Sequence, residues 1–250
     1  MSTPRTDEFL ALFTALENHM KRVTGHEGFP SFAEVLRSAA QRNSAVKRYR
    51  DDLQSFAGLR NIIVHADGYP KRVIAEPSDE ALARFRHLVT AVTEPPKLGA
   101  RRRTLRLFAH GDPLSGALQY MQSEDFSQVV VFDGHLALLT TEGVARWLEA
   151  QVAEDIISVA AASVSDALAH ETEQAFVVLS ANSTVFDAID AFTHALEANR
   201  IRLSAILVTA NGRATERPIS IITAWDLPSA TRDLAVPGHA QSSLDSRIHS

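Results

Sequence analysis

The sequence predicts an α + α/β protein, with an N-terminal bundle of four to five helices followed by two tandem βαββα repeats. Three observations support this fold class. Residues 1–95 carry apolar side chains at helical spacing, and a short run rich in proline and arginine follows them. Beyond that run, apolar strands alternate with helical segments. The order strand, glycine turn, strand then occurs twice, which indicates two similar units.

The composition is that of a folded protein. The chain has 250 residues, of which 45% are hydrophobic and 22% charged, so it can bury a sizeable core. It has no cysteine, which excludes disulfides, thiolate catalysis and cysteine-based zinc sites. The sequence shows neither an apolar run of membrane-spanning length nor a signal-like N-terminus, so we expect a cytoplasmic protein without membrane contact.

The charge is distributed unevenly along the chain. Residues 1–103 hold 17 Lys and Arg against 12 Asp and Glu, whereas residues 104–250 hold 8 against 18. A basic first half is compatible with a polyanionic partner such as RNA. The alternative is that two domains simply differ in surface charge, and the sequence leaves both interpretations open.

The first 95 residues are interpreted as a helical domain. The predicted helices are residues 7–23, a segment that starts after Ser31, residues 44–65, and residues 78–92. Ser31 and Glu34 have the spacing of a capping box. On the third helix, Ile62 is expected in the core. A linker is placed at 96–103 because prolines and three consecutive arginines interrupt the pattern.

The two repeats are placed at 104–155 and 156–232, with a disordered tail at 233–250. The first repeat comprises strand 104–108, helix 113–121, strands 128–132 and 136–140, and helix 144–151. The second comprises strand 176–179, helix 184–198, strands 204–209 and 219–223, and a short helix from Pro228. Trp147 and Trp225 are assigned to equivalent points of the two repeats, in core or interface packing.

The repeated segments resemble a pair of CBS (cystathionine β-synthase) domains over about residues 104–232. In the first copy the residues that carry the resemblance run from Asp125 to Leu148, as DFSQVVVFDGHLALLTTEGVARWL. In the second they are LSAILVTANG from Leu203 and ISIITAWDL from Ile219. The resemblance implies that the pair stacks into a disc whose cleft binds an adenine nucleotide. It also implies that a Thr-x-x-Asp segment contacts the ribose and phosphates.

The second copy keeps that segment as Thr223-Ala-Trp-Asp226, whereas the first has Thr140 followed by Gly143 in place of the aspartate. The resemblance therefore implies one good site and one degenerate site. The nucleotide-binding residues it implies are Thr223, Asp226, Thr140, Ser204 and Ala205. ATP, ADP or AMP would be a regulatory ligand, and no cofactor would be required. The alternative is a CBS pair that serves only as a dimerisation scaffold.

The end of the third helix carries polar groups on an apolar run, in the sequence Arg60-Asn-Ile-Ile-Val-His65. Asn61 and His65 share a helix face because they are four residues apart. This motif and its place in the helical domain resemble HEPN domains over about residues 7–95. The resemblance implies a homodimer in which two copies of the motif meet and cleave RNA without a metal, leaving a 2′,3′-cyclic phosphate.

The chemistry of these residues suits that reaction. The reference pKa of histidine, near 6.5, allows His65 to move protons near neutral pH. Arg60 could stabilise a phosphorane and Asn61 could orient the imidazole. Alternatively, Arg60 pairs with Asp51, Asp52 or Asp67 and His65 caps the helix. We therefore expect a nucleotide-sensing regulator with a candidate endoribonuclease domain, or alternatively a non-enzymatic nucleotide-binding adaptor. No metal site is predicted, because the histidines lack ligand spacing.

Overall fold

The chain is a mixed helical and sheet protein, as the sequence predicts. In the computed structural model, residues 3–25, 28, 30–64, 75–100, 104–153, 159–172, 175–199 and 203–228 are described. They form two compact units, one that ends at Pro96 and one that covers Lys97–Pro228. The predicted tail at 233–250 lies outside the described residues.

Helices make up the first unit. They are α1 (Pro4–Thr24), α2 (Phe32–Arg42), α3 (Ser44–Arg48), α4 (Arg50–Val64) and α5 (Asp79–Thr93). The predicted helix 44–65 is therefore divided, because Tyr49 leaves helical geometry at φ −101° and ψ 16° and buries its side chain. The predicted capping box is present, since the Ser31 N–H donates to Glu34 Oε2 at 2.8 Å and the Glu34 N–H donates to Ser31 Oγ at 3.3 Å.

Phenylalanine rings fill the core of this unit. Phe9 and Phe85 are fully buried, and the centroid of Phe85 lies 4.8 Å from that of Phe9 and 4.7 Å from that of Phe56. These separations are those of favourable aromatic pairs. The prediction that Ile62 joins the core is wrong, because its side chain is 55% exposed. Ile62 lies nine residues after the buried Leu53, about 180° around the helix.

The second unit contains two sheets with the same connectivity. Its elements are β1 (Leu107–Phe108), α6 (Leu114–Glu124), β2 (Gln128–Phe132), β3 (Leu136–Thr140), α7 (Thr141–Ala153), α8 (Val164–Leu168), β4 (Phe176–Ser180), α9 (Val185–Asn199), β5 (Ala205–Thr209) and β6 (Ser220–Ile222). In each sheet the first strand is parallel to the second, and the second is antiparallel to the third. We call residues 104–153 the first repeat and residues 175–228 the second repeat.

The two sheets pack against each other through apolar side chains. One buried cluster joins Val130 and Leu138 of the first sheet to Ala205 and Leu207 of the second. On the opposite face of the first sheet, Trp147 is buried against α6 and α8. Trp225 is instead 91% exposed in the single chain, so the two tryptophans are not equivalent and Trp225 is not part of the core. The reason is one of register: Trp147 follows Thr140 by seven residues, whereas Trp225 follows Thr223 by two.

A segment before the first repeat contacts the second repeat, and a segment before the second repeat contacts the first. Leu98 lies in a short 3-10 turn, and its N–H donates to the carbonyl of Ser183 at the start of α9, at 2.8 Å. The N–H of Val164, at the start of α8, donates to the carbonyl of Asp112 before α6, at 2.9 Å. The predicted linker 96–103 therefore includes residues that belong to the second unit. No helix in the described part of the chain is long and apolar enough to cross a membrane.

Candidate functional site

Thr223 and Asp226 form a hydrogen-bonded pair directly after β6. The N–H and Oγ1 of Thr223 both donate to Asp226 Oδ2, at 2.8 and 2.9 Å. Both residues are half-buried, and a 3-10 turn at Ala224–Asp226 links them. This is capping-box geometry, which fixes one carboxylate oxygen beside the strand end. We call these two residues the Thr223 group.

Ser204 and Ala205 lie at the same end of the second sheet as Thr223. Ile206 pairs with Ile222 across the antiparallel strands, so the residues just before Ile206 come next to the residue just after Ile222. The Ser204 N–H donates to the carbonyl of Ala175 at 2.8 Å, and Ala205 is fully buried. The predicted residues of the second repeat therefore share one sheet end, where Ser204 is half-buried and Ala205 lies beneath the surface.

Thr140 in the first repeat has a carboxylate partner that the sequence did not indicate. Its N–H and Oγ1 donate to Glu171 Oε1 at 2.6 and 2.9 Å, and its Oγ1 accepts from the Gly143 N–H at 3.0 Å. Thr140 is 6% exposed. We call Thr140, Gly143 and Glu171 the Thr140 group. Its donors and acceptor match those of the Thr223 group, although its carboxylate comes from 31 residues further along the chain.

Gly143 leaves the space that Glu171 occupies. A Cβ atom at position 143 would lie 2.0 Å from Glu171 Oε1 and 2.3 Å from its Cδ. A side chain at this position is therefore incompatible with the observed carboxylate, and glycine is the residue that allows so close an approach. The one available sequence signal for Glu171 was this glycine in the place of the aspartate.

The polar residues at the end of α4 are described only in part. Arg60 is half-buried with its Cζ 5.8 Å from the ring centroid of Phe13, and its Nη1 donates to Asn61 Oδ1 at 3.4 Å. Asn61 is exposed. His65, the third predicted catalytic residue, lies outside the described residues.

The structure tests two of the three ion pairs that the sequence allowed for Arg60. Asp52 forms its ion pair with Arg84. Arg60 makes no ion pair among the residues that the structure describes, so neither Asp51 nor Asp52 neutralises it. Asp67, the third alternative, lies outside them.

The other ionisable groups that the structure describes do not assemble a further site. His110 Nδ1 lies 2.7 Å from Asp133 Oδ1, and this hydrogen bond holds the pKa of the exposed Asp133 carboxyl below its usual value. Within the described ranges, no group of three His, Asp or Glu residues could hold a metal ion. The Thr223 and Thr140 groups are therefore the candidate sites of the second unit.

No protein-family model matches the chain, and no curated protein matches it either. Among solved structures, a CBS domain-containing protein from Kribbella flavida is 17% identical over 54% of this chain and 97% of its own, with a TM-score of 0.41. A putative signal-transduction protein with CBS domains from Burkholderia ambifaria is 20% identical over 52% and 83%, with a TM-score of 0.38. CBSX2, crystallised in complex with AMP, is 14% identical over 56% and 98%, with a TM-score of 0.41.

Proposed function

We propose that this chain is an adenine-nucleotide-sensing regulatory protein whose second unit is a CBS pair. The observation that carries the proposal is the Thr223 group, in which a threonine and a carboxylate are held together at the end of β6. The doubled sheet connectivity supports it, because the same βαββ order builds both repeats. The resemblance of residues 104–232 to CBS domains supplies the ligand class.

The two residues of the Thr223 group would bind different parts of the nucleotide. The Asp226 carboxylate is an acceptor for the two ribose hydroxyls, which can each donate one hydrogen bond. The resemblance to CBS domains implies that the phosphates lie toward Thr223 and the N-terminal end of the following turn. Ser204, at the same sheet end and half-buried, would border the sugar or the base.

Calorimetric titration of the full chain with AMP, ADP and ATP tests the proposal. Asp226→Ala should weaken binding at the Thr223 group at least tenfold, which corresponds to about 1.4 kcal/mol. Asp187→Ala is the matched control, because Asp187 Oδ2 accepts from the N–H and Oγ1 of Thr184 at 2.7 and 2.9 Å in the same capping geometry. It should leave the affinity unchanged. If the wild-type chain binds none of the three nucleotides, the sensing function is refuted.

A second candidate concerns the first unit, which we propose as a HEPN-like, metal-independent endoribonuclease that acts as a homodimer on RNA. The favouring observation is that Arg60 makes no ion pair among the described residues, so neither Asp51 nor Asp52 competes with a phosphate for its guanidinium. In this proposal His65 transfers the proton and Asn61 orients the His65 imidazole. The non-enzymatic adaptor, in which both units only bind and dimerise, fits the described residues at least as well.

Cleavage of labelled RNA in the presence of EDTA separates the two candidates. The nuclease candidate predicts that Arg60→Ala and His65→Ala each abolish cleavage. Arg86→Ala is the control, because that exposed arginine is already paired with Glu8. If the nucleotide regulates the nuclease, added AMP or ATP should change the rate at which the wild-type chain cleaves RNA. Equal cleavage by wild type and His65→Ala would remove the nuclease claim and leave the adaptor.

A further inference from the structure

We infer that Glu171 supplies the ribose-binding carboxylate of a second nucleotide site, in the first repeat. This inference rests on the proposed function, and it changes the expectation that the first repeat holds a degenerate site. In both repeats a single carboxylate oxygen accepts from the N–H and Oγ1 of the threonine that ends or follows the last strand. The distances are 2.6 and 2.9 Å at Thr140 and 2.8 and 2.9 Å at Thr223.

The fold holds Glu171 in place from two directions. α8 precedes it and is anchored at its start by the hydrogen bond from Val164 to Asp112. The Glu171 N–H then donates to the carbonyl of Leu168 at 3.0 Å, which continues the turn of α8. From α7, Arg146 Nη1 donates to the carbonyl of His170 at 3.0 Å. Contacts within the protein thus hold the carboxylate beside the last strand of the first repeat before any ligand arrives.

Gly143 and Glu171 together replace the single aspartate of the second repeat. An acid at position 143 would project its carboxylate into the space that Glu171 fills, since even a Cβ there would lie 2.0 Å from Oε1. An aspartate at position 143 and the observed position of the Glu171 carboxylate therefore exclude each other. In the first repeat the carboxylate beside the threonine comes from a residue distant in sequence, and in the second repeat it comes from a residue three positions after the threonine.

The Glu171 carboxylate can still accept from a ligand. Oε1 takes both hydrogen bonds from Thr140, whereas Oε2 receives none from the described residues. A carboxylate has about four acceptor positions, so the two ribose hydroxyls could be accommodated as at Asp226. Glu171 is half-buried, which leaves part of its side chain open to solvent and to a solute. The chain would therefore bind two nucleotides, one in each repeat.

Stoichiometry in calorimetric titrations with AMP tests the inference on the full chain. The wild type should bind two AMP per chain, and Asp226→Ala and Glu171→Ala should each bind one. The double variant should bind none. Glu171→Gln keeps an oxygen acceptor for Thr140 but removes the charge, so it should stay folded and weaken the first site at least tenfold. Glu149→Gln, a change at an exposed acid on the neighbouring helix α7, is the control and should bind two.

A relocation of the carboxylate gives the sharpest comparison. The double variant Gly143→Asp with Glu171→Ala gives the first repeat the Thr-x-x-Asp motif of the second. It should bind two AMP per chain, whereas Glu171→Ala alone should bind one. One AMP per wild-type chain, lost with Asp226→Ala and untouched by Glu171→Ala, would overturn this inference and leave the proposed function standing. Two AMP per chain of Glu171→Ala would also overturn it. No AMP bound to the wild type would refute both.

Discussion

Replacement of Gly143 by alanine should destabilise the second unit, although alanine is normally the better residue in a helix. The new Cβ would lie 2.0 Å from Glu171 Oε1, and ordinary contact begins at 3.4 Å. The carboxylate must therefore move by at least about 1.4 Å, by subtraction of these two distances. Such a shift breaks its hydrogen bonds to Thr140, which are 2.6 and 2.9 Å long.

The size of the effect follows from two opposing contributions. Thr140 is 6% exposed, so its N–H would be left buried without an acceptor, which costs about 1–3 kcal/mol. Exchange of glycine for alanine in a helix contributes up to about 1 kcal/mol in the opposite direction. The free energy of unfolding should therefore fall by up to about 2 kcal/mol, where an unstrained exchange would raise it.

Gly116→Ala is the matched control. Gly116 is the third residue of α6, as Gly143 is of α7, and a Cβ there would have nothing within 4 Å. It should stabilise the unit by up to about 1 kcal/mol. The assay is urea unfolding followed by tryptophan emission. The chain has 2 tryptophans, both in the second unit, and Trp147 is 4% exposed.

The clash with Glu171 can be isolated in a second background. In the Glu171→Ala chain, Gly143→Ala should become stabilising by about as much as Gly116→Ala. The reasoning is refuted if Gly143→Ala stabilises the wild-type chain to the same degree as Gly116→Ala, because Glu171 would then be free to leave its position at little cost.

Three further predictions concern packing and pH. Burial lowers the pKa of His19 below 6.5, so the folded state favours the neutral ring. The free energy of unfolding, measured by far-UV ellipticity, should fall as the pH drops below about 6.5, and His19→Gln should flatten that slope. Phe85→Ala should cost about 3–5 kcal/mol in the same assay, since the ring is fully buried 4.7 Å from that of Phe56. Leu98→Ala should lower the urea midpoint of Trp147 emission through a loss of about 2–5 kcal/mol, because Leu98 is 1% exposed; an unchanged midpoint would remove Leu98 from the second unit.

Local patterns predicted much of the fold. The apolar spacing of residues 7–23 lies within α1, and the apolar runs at 128–132 and 136–140 have the bounds of β2 and β3. Capping chemistry identified the start of α2, because Ser31 and Glu34 interact over three residues. Interactions of this range can be read from spacing alone.

Long-range contacts account for the rest. α8 has only five residues, and its fixed position depends on hydrogen bonds to residues about fifty positions earlier in the chain. Glu171 was missed for the same reason: its role depends on Thr140 and on the space left by Gly143, neither of which is near it in sequence. The exposure of Ile62 likewise follows from which face of α4 the other helices cover, a property of packing and not of composition.

A crystal structure of the full chain with AMP would show whether Asp226 binds the ribose. Both ribose hydroxyl oxygens should lie within hydrogen-bond distance, about 2.5–3.0 Å, of the Asp226 carboxylate. The phosphate should lie on the side of Thr223. AMP bound elsewhere in the chain, with its ribose out of reach of Asp226, would contradict this binding mode.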